Sequence, residues 1–180
     1  MYIIQGECLL SQWGKTVPEG LSAGARRFQE YLRQQGFAHQ VVELPDSTRT
    51  AKEAAQAVGC QLGQIVKSLV FKTVHNQTPV LVLASGPNRV DERRVSELAG
   101  EPIEKADADF VRQHTGFAVG GVPPLGHTEL VSTFIDETLL GYETLWAAAG
   151  TPHAVFQLTP ADLQAMTDGR VAAIKETKTD

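Results

Sequence analysis

Regular hydrophobic spacing begins after Ser22. Phe28, Tyr31 and Leu32 recur at helical intervals until Gly36, which predicts a helix opened by a serine N-cap. Residues 39–44 read as a short strand closed by Pro45-Asp46. Residues 47–50 (STRT) supply capping hydroxyls. Glu53, three residues after Thr50, completes a capping box, and Ala54, Ala55, Ala57 and Val58 carry the helix to Gly59. Residues 65–74 (IVKSLVFKTV) are rich in β-branched side chains and predict a long strand. Residues 75–78 (HNQT) form its hairpin loop, and residues 79–84 (PVLVLA) are apolar almost throughout, as in a return strand buried on both faces. Residues 85–88 form a turn.

The second half continues the alternation. Residues 91–99 predict a helix with Val95, Leu98 and Ala99 inward, ended by Gly100; Ile103 marks a short strand step. Asp107 or Asp109 caps a short helix to Gln113, and residues 117–119 predict a strand. Further strands are expected at 131–135, 144–148, 154–158 and 170–174. Thr159-Pro160 opens a helix through Met166, with proline at the first helical position. Helices and strands interleave, but hairpin-like links dominate the middle. The pattern predicts a single α+β domain with a mixed sheet over residues 21–180, preceded by a tail or strap at 1–20.

Composition narrows the function. Sixteen basic against 21 acidic residues give a net charge of −5, which excludes a broad basic surface for coating duplex nucleic acid but not contact with a short piece of nucleic acid. The two cysteines, Cys8 and Cys60, form neither a disulfide framework nor a zinc spacing, and free thiols fit a reducing cytoplasm. No apolar run reaches the ~20 residues that span a bilayer, and the first residues do not read as a signal peptide. There is no GxGxxG after a strand, no GxxxxGK[ST], no HExxH and no GxSxG. Dinucleotide redox chemistry, nucleotide hydrolysis, zinc proteolysis and α/β-hydrolase chemistry are therefore disfavoured.

Residues 120–126 (GGVPPLG) hold three glycines and two prolines in seven positions. Glycine permits positive φ and close backbone approach, and proline stiffens the chain, so the loop's remaining N–H groups point in fixed directions. Fixed donors suit an oxyanion; the competing reading is a tight corner between strands. Lys67 shares a strand face with Ile65, Leu69 and Phe71. An ammonium on an apolar face either snorkels outward or meets an anion in a cleft. His127 directly follows the loop and His153 sits in 150–153 (GTPH); either is a candidate helper or a solvated histidine. Asp136 follows an apolar strand, as a cleft carboxylate or as an N-cap for residues 137–140.

Together these segments resemble the YbaK/prolyl-tRNA-synthetase-insertion family of aminoacyl-tRNA deacylases. The resemblance rests on 47–55 (STRTAKEAA), 63–71 (GQIVKSLVF), 80–91 (VLVLASGPNRVD), 115–126 (TGFAVGGVPPLG), 134–136 (FID) and 150–163 (GTPHAVFQLTPADL), and residues 1–20 have no counterpart in it. It implies a curved, partly closed mixed β-sheet flanked by helices. It also implies hydrolysis of a small amino acid wrongly attached to a tRNA of the proline type, by a free-standing factor. Lys67 would meet the 3′-terminal nucleotide of the aminoacyl-tRNA, and the glycine loop would surround the aminoacyl carbonyl. The resulting expectation assigns catalysis to Lys67, Gly120, Gly121, His127 and Asp136. Substrate contact falls to Thr50, Ser68, Asn88, Arg89, Pro123, Gly126 and His153. No metal and no cofactor are expected; an aminoacyl-tRNA synthetase is a possible partner, and neither a membrane nor DNA is. A non-catalytic tRNA- or synthetase-binding module on the same fold is the alternative, and a hydrolase of small non-tRNA esters a third reading.

Overall fold

The structure, a computed structural model, describes residues 20–44 and 50–177. The expected strap at 1–20, apart from Gly20, the turn at Pro45-Asp46, the hydroxyls of 47–49, Cys8 and the last three residues lie outside them. Helix α1 (Ala23–Gln34) buries Ala25, Phe28, Gln29 and Leu32. Strand β1 (Val41–Glu43) follows and is shorter than the pattern suggested. Helix α2 (Ala51–Val58) opens with the predicted capping box: Glu53 N–H donates to Thr50 Oγ1 at 3.2 Å and Thr50 N–H to the Glu53 carboxylate at 2.9 Å.

Strands β2 (Ile65–Thr73) and β3 (Pro79–Ser85) form the expected hairpin. Helix α3 (Glu92–Ala99) and strand β4 (Ile103–Lys105) come next, then helix α4 (Ala108–Thr115), capped by Asp107 rather than Asp109. Strand β5 (Ser132–Asp136) runs into a 3₁₀ turn, Glu137–Gly141, for which Asp136 is the N-cap. Strands β6 (Leu145–Ala148) and β7 (Ala154–Leu158), helix α5 (Pro160–Thr167) and strand β8 (Arg170–Ala172) complete the domain.

The strand predicted at 117–119 is absent. Helix α4 ends on Gly116 in the left-handed region, Phe117 plugs inward edge-on to Phe28, and the chain reverses at once with Gly121 N–H donating to the Ala118 carbonyl at 3.0 Å. A segment folded back on itself leaves no extended edge to pair.

The sheet is mixed and open, in the order β1-β7-β6-β2-β3-β5-β8, with β4 added to the far end of β2. β2/β6, β3/β5 and β5/β8 are parallel and the other pairs antiparallel. Period-2 alternation explains why β3 is apolar at nearly every position. Leu81 and Leu83 enter the core under α1, α4 and α5, while Val80, Val82 and Ala84 enter a second core with Val95 of α3. Helices therefore cover both faces of the sheet, and β2, in its middle, carries Lys67 into the interior.

Candidate active site

Lys67 is half-buried on the β2 face that also carries Leu69 and Phe71. Its Nζ donates to the Asn88 carbonyl at 2.5 Å. Asn88 itself is fixed from behind: its Nδ2 donates to Asp136 Oδ2 at 2.8 Å and to Thr138 Oγ1 at 3.0 Å. Asp136 is 1% exposed and also accepts from Ser85 N–H at 3.1 Å and Thr138 N–H at 3.0 Å. Burial would raise the Asp136 pKa, but the hydrogen bonds from Asn88, Thr138 and Ser85 outweigh it and hold the carboxyl below its ordinary range. Burial pulls the Lys67 pKa below the usual lysine value; the Asp136 carboxylate opposes that shift and Arg89 adds to it.

Two cavities meet at this lysine. The larger, about 890 Å³, is lined by Lys67, Arg89, Arg93 and Lys105, by the carboxylates Asp91, Glu92 and Glu176, and by Asn88 among others. The smaller, about 330 Å³, is walled mainly by small or apolar groups: Ala51, Ala54, Ile65, Trp146, Ala147 and Ala148, with Thr50 at the cap of α2. Lys67, Ser68, Leu69, Val119, Gly120 and Val122 line both. The boundary between a larger polar space of mixed charge and a small apolar one thus consists of one stretch of β2 and the start of the glycine loop.

The loop divides into a part that borders the cavities and a part that packs against the rest of the fold. Gly120 has φ +87° and borders both cavities, and its N–H, like that of Val122, has no hydrogen-bond partner among the described residues. Gly121 differs: its N–H is spent on Ala118 and its carbonyl accepts from Gly150 N–H at 3.0 Å. A Cβ there would stand 2.7–2.9 Å from the Thr151 backbone, so glycine at this position serves close approach of two chains. Gly126, at φ +84°, lies against the Tyr31 ring. Pro123 is buried, and its carbonyl accepts from His127 Nε2 at 2.8 Å. Burial lowers the His127 pKa, with the Pro123 carbonyl opposing it, and the ring packs edge-on to Phe117. That places His127 as a clasp on the loop.

Of the expected site residues, the two cavities bring together Lys67, Ser68, Asn88, Arg89, Gly120 and Thr50. Gly121, Pro123, Gly126, His127, Asp136 and His153 line neither. Asp136 reaches the cavity lining only through its hydrogen bond with Asn88. The exposed His153 lends its carbonyl to Leu44 N–H at 2.7 Å. Thr50 Oγ1 is occupied as the α2 cap.

Residues 45–166 match the aminoacyl-tRNA editing domain. The chain belongs to that family. As an editing domain it hydrolyses the ester that joins an amino acid to tRNA. It is 52% identical to a solved structure described as a candidate trans-editing enzyme for prolyl-tRNA synthetase; the match covers 87% of this chain and 99% of that one, at a TM-score of 0.83. It is 28% identical over 131 residues to the uncharacterised protein YwhH of Bacillus subtilis (strain 168), covering 73% of this chain and 83% of YwhH. It is also 28% identical over 127 residues to EbsC of Enterococcus faecalis (strain ATCC 700802 / V583), a candidate Cys-tRNA(Pro)/Cys-tRNA(Cys) deacylase, covering 69% of this chain and 76% of EbsC.

Sequence reading overlooked the alanine-lined wall of the editing domain, because alanines in α2 and β6 read as ordinary packing. It also overlooked Thr138, the second anchor of Asn88. A hydroxyl two residues after a candidate carboxylate was the available signal.

Proposed function

We propose that this editing domain acts in trans and removes a small, wrongly attached amino acid from a tRNA of the proline type. One observation carries the reading: the larger polar cavity and the small apolar cavity share Lys67 and Gly120 at their boundary. The 3′-terminal nucleotide occupies the larger space, where Arg89 and Lys67 face its phosphate and ribose. An ammonium has three donors, so Lys67 keeps its bond to Asn88 and still offers two. The amino-acid side chain enters the smaller space. Its alanine walls admit alanine, serine, cysteine or 2-aminobutyrate and exclude bulk.

An aminoacyl ester is reactive enough for water to attack without a protein nucleophile. The unspent N–H groups of Gly120 and Val122 stabilise the oxyanion, each worth about 3–4 kcal/mol when well placed. The substrate's own ribose hydroxyl orients the water. The relatives named for editing in the proline system support tRNA of that type and association with a synthetase.

A panel of mischarged tRNAs, with free amino-acid esters for comparison, tests this. Hydrolysis of alanyl- or cysteinyl-tRNA(Pro), lost in Lys67→Ala while the thermal unfolding curve is retained, is expected. Activity should fall with salt, but shallowly, because few phosphates are met. Equal turnover of free esters, or full activity of Lys67→Ala, would overturn the proposal.

A further inference from the structure

The hydrogen-bond ladder of β2 is interrupted where the two cavities meet. Ala106 N–H donates to the Val70 carbonyl at 3.3 Å, so Val70 turns its backbone polar groups toward the edge that β4 occupies. These directions alternate along a strand. Val66, Ser68 and Lys72 therefore face the same edge, and Lys67, Leu69 and Phe71 face β3. On that edge β6 pairs only with Ile65 and Val66, and β4 only with Phe71, Lys72 and Thr73. Ser68 falls in the gap between the two strands.

The glycine loop, which borders the gap, does not fill it with hydrogen bonds. Gly121 N–H is spent on Ala118 and the Gly121 carbonyl on Gly150. The N–H and carbonyl of Ser68 consequently have no partner among the described residues, although they lie in the middle of a nine-residue strand. Ser68 Oγ is also buried without a partner, so nothing on the side chain substitutes for the missing neighbour. Ser68 lines both cavities.

We propose that this gap is a docking edge that reads the main-chain groups of the esterified amino acid. One residue that offers both N–H and carbonyl to the same side is half of an antiparallel residue pair. The aminoacyl group supplies the other half. Its α-ammonium donates to the Ser68 carbonyl, and its ester carbonyl accepts from Ser68 N–H. This rests on the placement of the aminoacyl group proposed above, and adds a requirement that the size of the pocket does not impose: the α-amino group must be free. An N-acylated chain end, as on a peptidyl-tRNA, carries neither the charge nor the slim profile that this edge accepts.

The test uses the full chain and a non-hydrolysable mimic of the tRNA terminus, cytidyl-cytidyl-3′-(L-alanylamino)-3′-deoxyadenosine, with its N-acetyl form. Amide hydrogen exchange is followed by NMR. In the free protein the Ser68 amide should exchange about a hundredfold faster than those of Lys67 and Leu69, whose N–H groups bond to β3. The mimic should slow Ser68 exchange about tenfold or more, and N-acetylation should weaken binding by about tenfold or more, the worth of one hydrogen bond to a charged group. If the mimic shifts the Lys67 and Gly120 resonances but leaves Ser68 exchange unchanged, or if the N-acetyl form binds equally well, the docking edge is refuted and the proposed function stands. If the mimic shifts neither Lys67 nor Gly120, the placement of the substrate in these cavities is refuted, and the docking edge with it.

Discussion

Replacing Asp136 by asparagine changes one oxygen into an NH₂ group inside a closed hydrogen-bond set. The carboxylate accepts from Ser85 N–H, Asn88 Nδ2 and Thr138 N–H, at 3.1, 2.8 and 3.0 Å. An amide retains one acceptor. If it keeps the bonds of Oδ2, its NH₂ faces the Thr138 N–H and one buried donor is orphaned. With the loss of charge assistance in the remaining bonds, the cost is roughly 2–4 kcal/mol. For a chain of 180 residues that corresponds to a fall in Tm of roughly 5–15 °C at neutral pH. The pH dependence is a second check. Because the folded carboxyl titrates below its ordinary value of 3.8, its contribution is present above that value and lost as pH falls through the folded pKa. The stability gap between wild type and Asp136→Asn should therefore close on acidification below about pH 4. The third check concerns Lys67, whose pKa the Asp136 charge raises. Without that charge it drops further, so the alkaline limb of kcat/KM should move to lower pH in the variant. Thermal unfolding across pH, paired with deacylation pH profiles, measures all three. A variant as stable as wild type at pH 7, with an unmoved alkaline limb, would refute the idea that Asp136 positions Lys67 through Asn88.

Gly121→Ala should lose stability by about 1–3 kcal/mol or more, because its Cβ meets the Thr151 backbone rather than a flexible side chain, and activity should fall in step with the folded fraction. Activity lost from a fully stable variant would instead place substrate against Gly121. Ala51→Leu narrows the small cavity, and single-turnover assays should show 2-aminobutyryl-tRNA hydrolysis falling more than alanyl-tRNA hydrolysis, by about tenfold; equal losses would remove this wall from specificity. Burial raises the Cys60 pKa, and its Sγ donates to the Gln61 carbonyl at 3.4 Å beside the apolar cluster of Ala54, Ala55 and Ile65, so a Cys8→Ser, Cys60→Ser double variant should turn over at close to the wild-type rate with no acyl-enzyme by mass spectrometry. A trapped thioester would contradict attack by water.

Local chemistry made much of the fold readable. The Thr50–Glu53 capping box, the Thr159-Pro160 helix start and the apolar run of β3 are each decided within a few residues, by caps and by period-2 burial. Lys67 was conspicuous for the same reason, as a cation on an apolar strand face. Residues 117–119 misled because an apolar trio reads alike whether it pairs with a strand or plugs a core; only Phe28 of α1, remote in sequence, decides between them. The N-cap role of Asp136 was one of two readings the sequence allowed, but the roles of Gly121 and His127 and the hold of Asp136 on Asn88 were out of reach. Each depends on a partner that the fold brings in — the Thr151 backbone, the Pro123 carbonyl and the Asn88 side chain. The gap beside Ser68 is the most tertiary feature of all. Side-chain pattern records which face of a strand is buried, but it carries no mark of where neighbouring strands stop. Whether the backbone groups of Ser68 are paired is set by the lengths of β4 and β6, two strands encoded more than 30 and 70 residues away.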